Sequence, residues 1–378
     1  MDRRLLFGAV LMTATAAPAL AGVVNPDISV IGQPFMRWTD DAGDAARKRL
    51  KFDVGETEFV FDAALNPYAR GSFTAALADG EFELEEGYFE ITRGLPGGLG
   101  LKGGKFRMPF GKLNPAHPHT DPFAERPRVL AAYLPGEEAF NETGIELSDR
   151  LALPGDLALT VSADVLQGDS FRVPRASSGA LNDPLETDLL ADREDEPRPA
   201  GLGRIALFVP IGDGRSGVEV GASGTQGTNN VAAATRTTVW GGDARAKLWM
   251  GSRSYLVLHG EVLSLDREDA GWDDVAAHYV HTDTTPIGGF FFADWNFDTR
   301  WNLGAGFESW QPPGAEDLTD RAFRAFGGFS LMEETTAFRL DYVRWQPDAP
   351  SGAPDADAVQ TVTMRVIFSM GPHKAHQF

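Results

Sequence analysis

The tightest grouping of metal-ligating residue types is His117-Pro118-His119, with Asp121 two residues on. Imidazole and carboxylate together suit zinc, nickel or copper. On extended backbone an H-x-H places both rings on one side, so His117, His119 and Asp121 would form an open three-ligand site. His278 and His281 are spaced H-x-x-H in what reads as an external loop, and His373 and His376 lie near the end of the chain. For each pair the alternative is a solvated imidazole. The one cofactor this composition suggests is therefore a loop-bound divalent cation such as zinc.

Covalent chemistry has little support. The chain has no Cys, which removes thiol catalysis, Cys-ligated zinc and a disulfide scaffold. His259 and Glu261 share a strand face, but no Gly-x-Ser-x-Gly elbow or metal-hydrolase signature accompanies them. The expectation is a protein that is not an enzyme. With 34 basic and 54 acidic side chains, net charge −20, and no basic patch, it is also a poor nucleic-acid binder.

Charge could still act by lining a passage. The charged residues sit in segments that alternate with period two. Phe59, Phe61, Ala63 and Leu65 oppose Glu58, Asp62 and Asn66. Leu157, Leu159, Val161, Ala163 and Val165 oppose Thr160, Ser162 and Asp164. Val362, Met364, Val366, Phe368 and Met370 oppose Thr361, Thr363, Arg365 and Ser369. Such segments are strands with one polar face. Sixteen can be traced, including 28–39, 50–65, 99–112, 254–266 and 285–297. Short helices are expected only within 126–140 and 184–194.

The connections alternate in length. Asn66-Pro67, Leu153-Pro154-Gly155-Asp156, Gly212-Asp213-Gly214-Arg215 and Asp298-Thr299-Arg300 are tight and rich in turn formers. The links at 40–49, 113–141, 168–201, 267–284 and 347–358 are longer. A closed antiparallel transmembrane β-barrel has this asymmetry, with short periplasmic turns and long extracellular loops. No segment has about 18 consecutive apolar residues, as a spanning helix needs. The 42 Gly, 25 Phe and 8 Trp fit turns, a lipid-facing band and interfacial aromatics such as Trp240, Trp295, Trp301, Trp310 and Trp345. The fold class expected is all-β.

Residues 1–21 combine Arg3 and Arg4, the apolar run Leu5 to Met12 and the small-x-small end Ala19-Leu20-Ala21, which reads as a cleavable signal peptide. Residues 22–378 would then form one barrel domain.

The string YFEITRGLPGGLGLKGGKFRMPFGKLNPAHPHTDPF at 88–123, the segment Asp27-Ile28-Ser29-Val30-Ile31-Gly32 and the tail Gly371-Pro372-His373-Lys374-Ala375-His376-Gln377-Phe378 resemble a Gram-negative porin-like outer-membrane family. That family is similar to the phosphate-selective porins, and some relatives are labelled zinc-regulated outer-membrane receptors. K-F-R-x-P-F-G at 105–111 is its most distinctive stretch. The resemblance implies an outer-membrane location, contact with lipid and lipopolysaccharide, a homotrimer, and delivery to the barrel-assembly machinery through Phe378. A TonB-dependent transporter would need 22 strands around a plug, whereas sixteen leave an aqueous channel.

The function expected is passive diffusion of small polar or ionic solutes. The alternatives are a substrate-specific, metal-linked uptake channel and a non-conducting adhesin or structural barrel. A charge facing lipid would cost about 2–4 kcal/mol at mid-membrane for Arg or Lys. Parity therefore assigns to the lumen Glu56, Glu58, Asp62, Arg70, Lys105, Arg107, Glu146, Asp164, Arg204, Asp243, Arg245, Lys247, Glu261, Asp294, Glu308, Arg339, Asp341 and Arg365. The acidic excess leans towards cations. The 113–141 link, carrying Glu125, Arg126, Arg128, Glu137 and Glu138, is the candidate constriction loop.

Overall fold

The computed structural model describes residues 26–136, 139–172, 196, 198–231, 233–273, 275–276, 278–332, 335–354 and 356–371. The signal segment, the 184–194 helix, His373, His376, Phe378, Glu137 and Glu138 lie outside the described residues. No described helix is long and apolar enough to cross a membrane.

Nineteen strand segments join in one antiparallel sheet that closes on itself. They are β1 (Asp27–Gly32), β2 (Phe35–Thr39), β3 (Leu50–Asp53), β4 (Thr57–Asn66), β5 (Ala69–Ala78), β6 (Glu81–Ile91), β7 (Gly100–Arg107), β8 (Asn141–Leu153), β9 (Leu157–Leu166), β10 (Ala200–Ile211), β11 (Ser216–Asn230), β12 (Thr235–Trp249), β13 (Tyr255–Asp273), β14 (His278–Thr284), β15 (Ile287–Asn296), β16 (Trp301–Trp310), β17 (Asp320–Met332), β18 (Thr336–Gln346) and β19 (Val359–Met370). Three staves are each broken in two, β1/β2, β3/β4 and β14/β15, so the wall has sixteen staves. The last stave closes on the first, with Val30 opposite Met370 and Thr39 opposite Thr361.

Two of the breaks fall at prolines, which have no N–H for the ladder. At Gln33-Pro34 the wall stays joined because Val366 N donates to Pro34 O and Gln33 N to Glu56 O. At Pro286, Leu265 N donates to Pro286 O. The expected single strand 28–39 is therefore interrupted and 285–297 starts only at Ile287, while 50–65 breaks at Gly55, whose φ is +63°. Residues 278–284 are not loop, as expected, but strand: β13 runs on to Asp273 and pairs with β14 from Arg267–Thr284 to Asp273–His278. The tight turns are locally determined. At β4–β5, Asn66 Oδ1 accepts from Tyr68 N and Ala69 N at 2.8 and 3.0 Å.

The outer face carries Phe61, Phe73, Phe89, Val165, Val262, Phe291, Phe307, Phe323 and Leu340, all exposed. At about 25 cal/mol per Å² such a band is unfavourable in water and matched to lipid. Trp240, Trp295 and Trp301 are also exposed, but Trp310 is buried and stacked on Trp345, with the Arg128 guanidinium 4.3 Å from the Trp345 ring. Those two tryptophans therefore face inward rather than joining an outer girdle.

The hydrophobic core lies inside the barrel. After Arg107 the chain leaves the wall earlier than the expected strand end at 112. Phe106, Met108, Phe110, Leu113, Phe123, Val129, Leu130, Tyr133, Leu134 and Phe140 pack against inner-wall residues including Val239, Leu263, Phe290, Phe292, Phe326 and Val343. A six-residue helix, α1 (Arg128–Tyr133), lies within this inward segment.

Candidate functional site in the barrel lumen

Wall carboxylates hold the inward segment by its backbone. Glu261 Oε1 on β13 accepts from Lys112 N at 2.9 Å and Leu113 N at 2.8 Å, and lies 2.9 Å from His259 Nε2. Asp341 Oδ2 on β18 accepts from Ala124 N and Glu125 N at 3.2 and 3.3 Å. Glu308 Oε2 on β16 accepts from Arg128 N at 2.6 Å. Tyr133 Oη donates to Gln311 O at 2.9 Å, and burial pushes its pKa up to about 12. Asn114 closes the base of the segment, donating to Met108 O and Phe140 O and accepting from Phe140 N. Buried amides need acceptors, and a carboxylate is the strongest one available.

Gly111 lets the chain enter the lumen. Its φ is +62°, and a Cβ there would lie 2.2 Å from Glu261 Oε2. The K-F-R-x-P-F-G stretch now has a physical meaning. Phe106, Met108 and Phe110 are buried anchors, Gly241 makes room for the Phe110 ring, and Gly111 turns the chain against Glu261.

A second group joins the segment to β4 and β6. His119 Nδ1 lies 2.9 Å from Glu58 Oε1, His117 Nδ1 is 3.3 Å from Glu58 Oε2 and 3.6 Å from Glu85 Oε2, and His117 Nε2 is 2.9 Å from Glu86 Oε2. The two rings stack at 5.5 Å. Burial disfavours a charged His117, but the Glu58 and Glu86 carboxylates outweigh it and raise its pKa to about 10. Asp121 does not join this group, because its carboxylate is 2.8 Å from Arg126 Nε. Glu58 stands where the sequence suggested Asp121. His278 and His281 lie far from this group on β14, with His281 Nδ1 2.6 Å from Glu268.

Glu85 and Glu86 escape a period-two reading. A bulge opposite Thr74 and Ala75 pairs Thr74 with Glu86 and Ala75 with Leu84, leaving Glu85 as the extra residue. Both side chains are consequently buried on the inside. The Glu-Glu doublet was the available signal, because regular alternation would have turned one of them to lipid.

Most other parity assignments fall on the inward face. Arg70 pairs with Glu90 at 2.6 Å, and Glu146 and Asp164 face each other in register. Arg204 bonds Asp243 at 2.6 and 2.9 Å across β11, through the space left by Gly221. Asp294 accepts from Asn296 and Asn302, and Asp62 and Lys247 are half-buried on the inner row. Glu56 accepts from Gln33 Nε2, while Arg107 is buried against Glu85 at 2.7 Å. Lys105 is the exception. It pairs in register with Gly87, on the face that carries exposed Phe73 and Phe89, and its ammonium reaches Leu84 O and Glu83 at the strand end. Lys102 takes the inward row instead, opposite Glu146.

Arg339 and Arg365 face each other in register. The Asp121 charge acts on both, and on Arg245 from β12. Arg126 is the guanidinium in direct contact with that carboxylate, 2.8 Å away. Beside the segment is a cavity of about 370 Å³ lined by Arg37, Glu125, Arg126 and Arg128 among others. Arg37 Nε is 3.4 Å from Glu125.

No family model matches the chain. A curated relative from Aquifex aeolicus, described only as an uncharacterized protein, is 29% identical over 269 residues, covering 67% of this chain. The chain spans about half that relative's length, 53%. The fold is that of outer-membrane porins. The channel DcaP of Acinetobacter baumannii matches with a TM-score of 0.57 at 8% identity, covering 91% of this chain and 97% of that one. The anion-selective porin of Comamonas acidovorans gives 0.54 at 10%, covering 91% and 100%. The trimer form of Vibrio cholerae OmpT gives 0.57 at 10%, covering 91% and 99%.

Proposed function

We propose that the protein is an outer-membrane channel of a Gram-negative bacterium, exported by its signal segment, through which small polar or ionic solutes diffuse passively. The proposal includes a preference for anions. The supporting observation is the unequal use of charge inside the barrel. Glu261, Glu308 and Asp341 are 2, 5 and 1% exposed and occupied by loop amides. Arg339 Nη1 and Arg365 Nε have no hydrogen-bond partner among the described residues; of the three loop-holding acids only Asp341 keeps such an oxygen, Oδ1, with Arg324 Nε 3.8 Å away, while Asp164 on β9 keeps both of its oxygens unpartnered. Acids that are desolvated and capped contribute little field to a passing ion, whereas incompletely paired guanidinium groups attract anions and orient them through a fixed fork. This reading departs from the cationic lean of the composition, because net charge counts side chains wherever they are.

The inward segment from Met108 to Phe140 serves as the constriction, and the Arg37–Arg128 cavity as part of the solute path. We also propose a homotrimer, on the porin fold and the trimeric form of a fold neighbour. Planar-bilayer recording across a salt gradient tests the function. Discrete open-channel steps with an anion-favouring reversal potential are expected, and an Arg245→Ala/Arg339→Ala/Arg365→Ala variant should shift it towards cations. A silent membrane would instead support a non-conducting barrel. Cation selectivity in the unaltered protein would overturn the anion preference.

A further inference from the structure

The geometry points to a divalent transition-metal site at the junction of the inward segment and the wall, with Glu58, His117 and His119 as ligands. One ligand atom from each lies within 4.8 Å of the others, as an ion at their centre requires. Three atoms converge there without a hydrogen-bond partner among the described residues: Glu58 Oε2, Glu85 Oε2 and His117 Nδ1. The Glu58 side chain is 0% exposed, so its second oxygen is desolvated, and its neighbour His117 Nδ1 stands 3.3 Å away outside hydrogen-bond geometry. Buried orphan acceptors are costly and call for a cation.

The surroundings fit a metal. His117 presents Nδ1 to the orphaned oxygens while Nε2 is held 2.9 Å from Glu86. Metal-bound histidines are commonly oriented by a carboxylate on the opposite ring nitrogen. Gln33 Nε2 fixes Glu58 Oε1 at 3.1 Å. Glu56, Glu58 and Glu85 cluster together, Glu86 flanks His117, and the Arg107 guanidinium bonds Glu85 alone among them, so neutral imidazoles would leave an anionic cage. Two nitrogens with carboxylate oxygen favour zinc, nickel or copper over calcium or magnesium, which prefer oxygen alone. The rival occupant is a proton on His117, which would bridge the same carboxylates without metal.

The ion would cross-link β4 to the inward segment, and the inference does not depend on whether the barrel conducts. The test uses the intact barrel, extracted in detergent and stripped with a chelator, then titrated with Zn²⁺ by calorimetry and with Co²⁺ by visible absorption. Saturable binding of about one ion per chain is expected, with tetrahedral-type Co²⁺ bands that Zn²⁺ displaces. His119→Ala, and separately Glu58→Gln, should weaken binding at least tenfold, in the range seen for lost metal-site partners. His281→Ala, which alters the separate His281–Glu268 pair on the wall, should leave it unchanged. Absence of saturable binding in the unaltered protein would overturn the site and leave the protonated His117 bridge. Unchanged affinity in variants that still show the heat-dependent gel shift of a folded barrel would overturn it equally.

Discussion

Replacing Glu261 should release the inward segment while leaving the barrel intact. One oxygen of this 2%-exposed carboxylate accepts two amides, from Lys112 and Leu113, with His259 also 2.9 Å away. Glu261→Ala strands both buried N–H groups. At about 1–3 kcal/mol for each unsatisfied donor, the docked state loses about 4 kcal/mol. At about 1.4 kcal/mol per tenfold, docked relative to undocked populations fall about a thousandfold. Glu261→Gln keeps a carbonyl acceptor and loses only the charge, which costs about 1 kcal/mol, or less than tenfold. Hydrogen-exchange mass spectrometry on peptides spanning 108–116 reads this difference directly. Exchange should accelerate strongly in the Ala variant and slightly in the Gln variant, while β16–β19 peptides stay protected. Gly111→Ala should resemble Glu261→Ala, because its Cβ would occupy the carboxylate's place. Equal exchange in Glu261→Ala and the unaltered protein would refute the idea that this carboxylate docks the segment.

A second prediction concerns pH. The Tyr133 pKa is raised to about 12 by burial, above its usual value near 10. Its stabilisation is therefore fully present below pH 10 and is lost as pH rises towards 12. Protease cleavage within 127–136 should increase over that window, and Tyr133→Phe, which lacks the titrating hydroxyl, should abolish the increase. A third concerns the wall. Gly221→Ala places a Cβ 2.7 Å from both Arg204 Nη2 and Asp243 Oδ2. Splitting this buried pair should cost about 3 kcal/mol and lower the urea midpoint of unfolding, with little change in Asp243→Asn/Gly221→Ala beyond Asp243→Asn alone. An unchanged midpoint in Gly221→Ala would show that the pair yields without cost.

The barrel was legible because a wall with lipid on one side and polar lumen on the other imposes period two, and because Asn66-Pro67 or Asp213-Gly214 can only be turns. Charge parity located Glu58, Asp164, Asp243 and Asp341 on the inner face for the same reason. What the wall charges do was not legible. Glu261 and Asp341 read as pore lining, whereas their oxygens face amides 148 and 216 residues away in sequence, a relation no local pattern encodes. Parity also fails wherever the ladder slips. The bulge at Glu85 brings two adjacent carboxylates inside, and β7 alternates without a slip in the opposite phase to the one expected, with Lys102 and Phe106 inward and Lys105 outward. Asp121 misled through proximity in sequence, since Arg126 claims it and Glu58 reaches His119 from 61 residues away.

The inward segment follows β7, yet most of its acceptors belong to β13, β16 and β18. Contacts of such long sequence separation form late, after the entropic cost of closing large loops has been met. During biogenesis the first half of the chain must therefore carry an apolar segment whose partners do not yet exist. Phe110, Phe123 and Phe140 would be open to misassociation until the C-terminal staves arrive. Closing β19 onto β1 seals the wall and also encloses that segment. A chaperone or assembly factor acting on this chain would find its most vulnerable client surface in that unattached stretch.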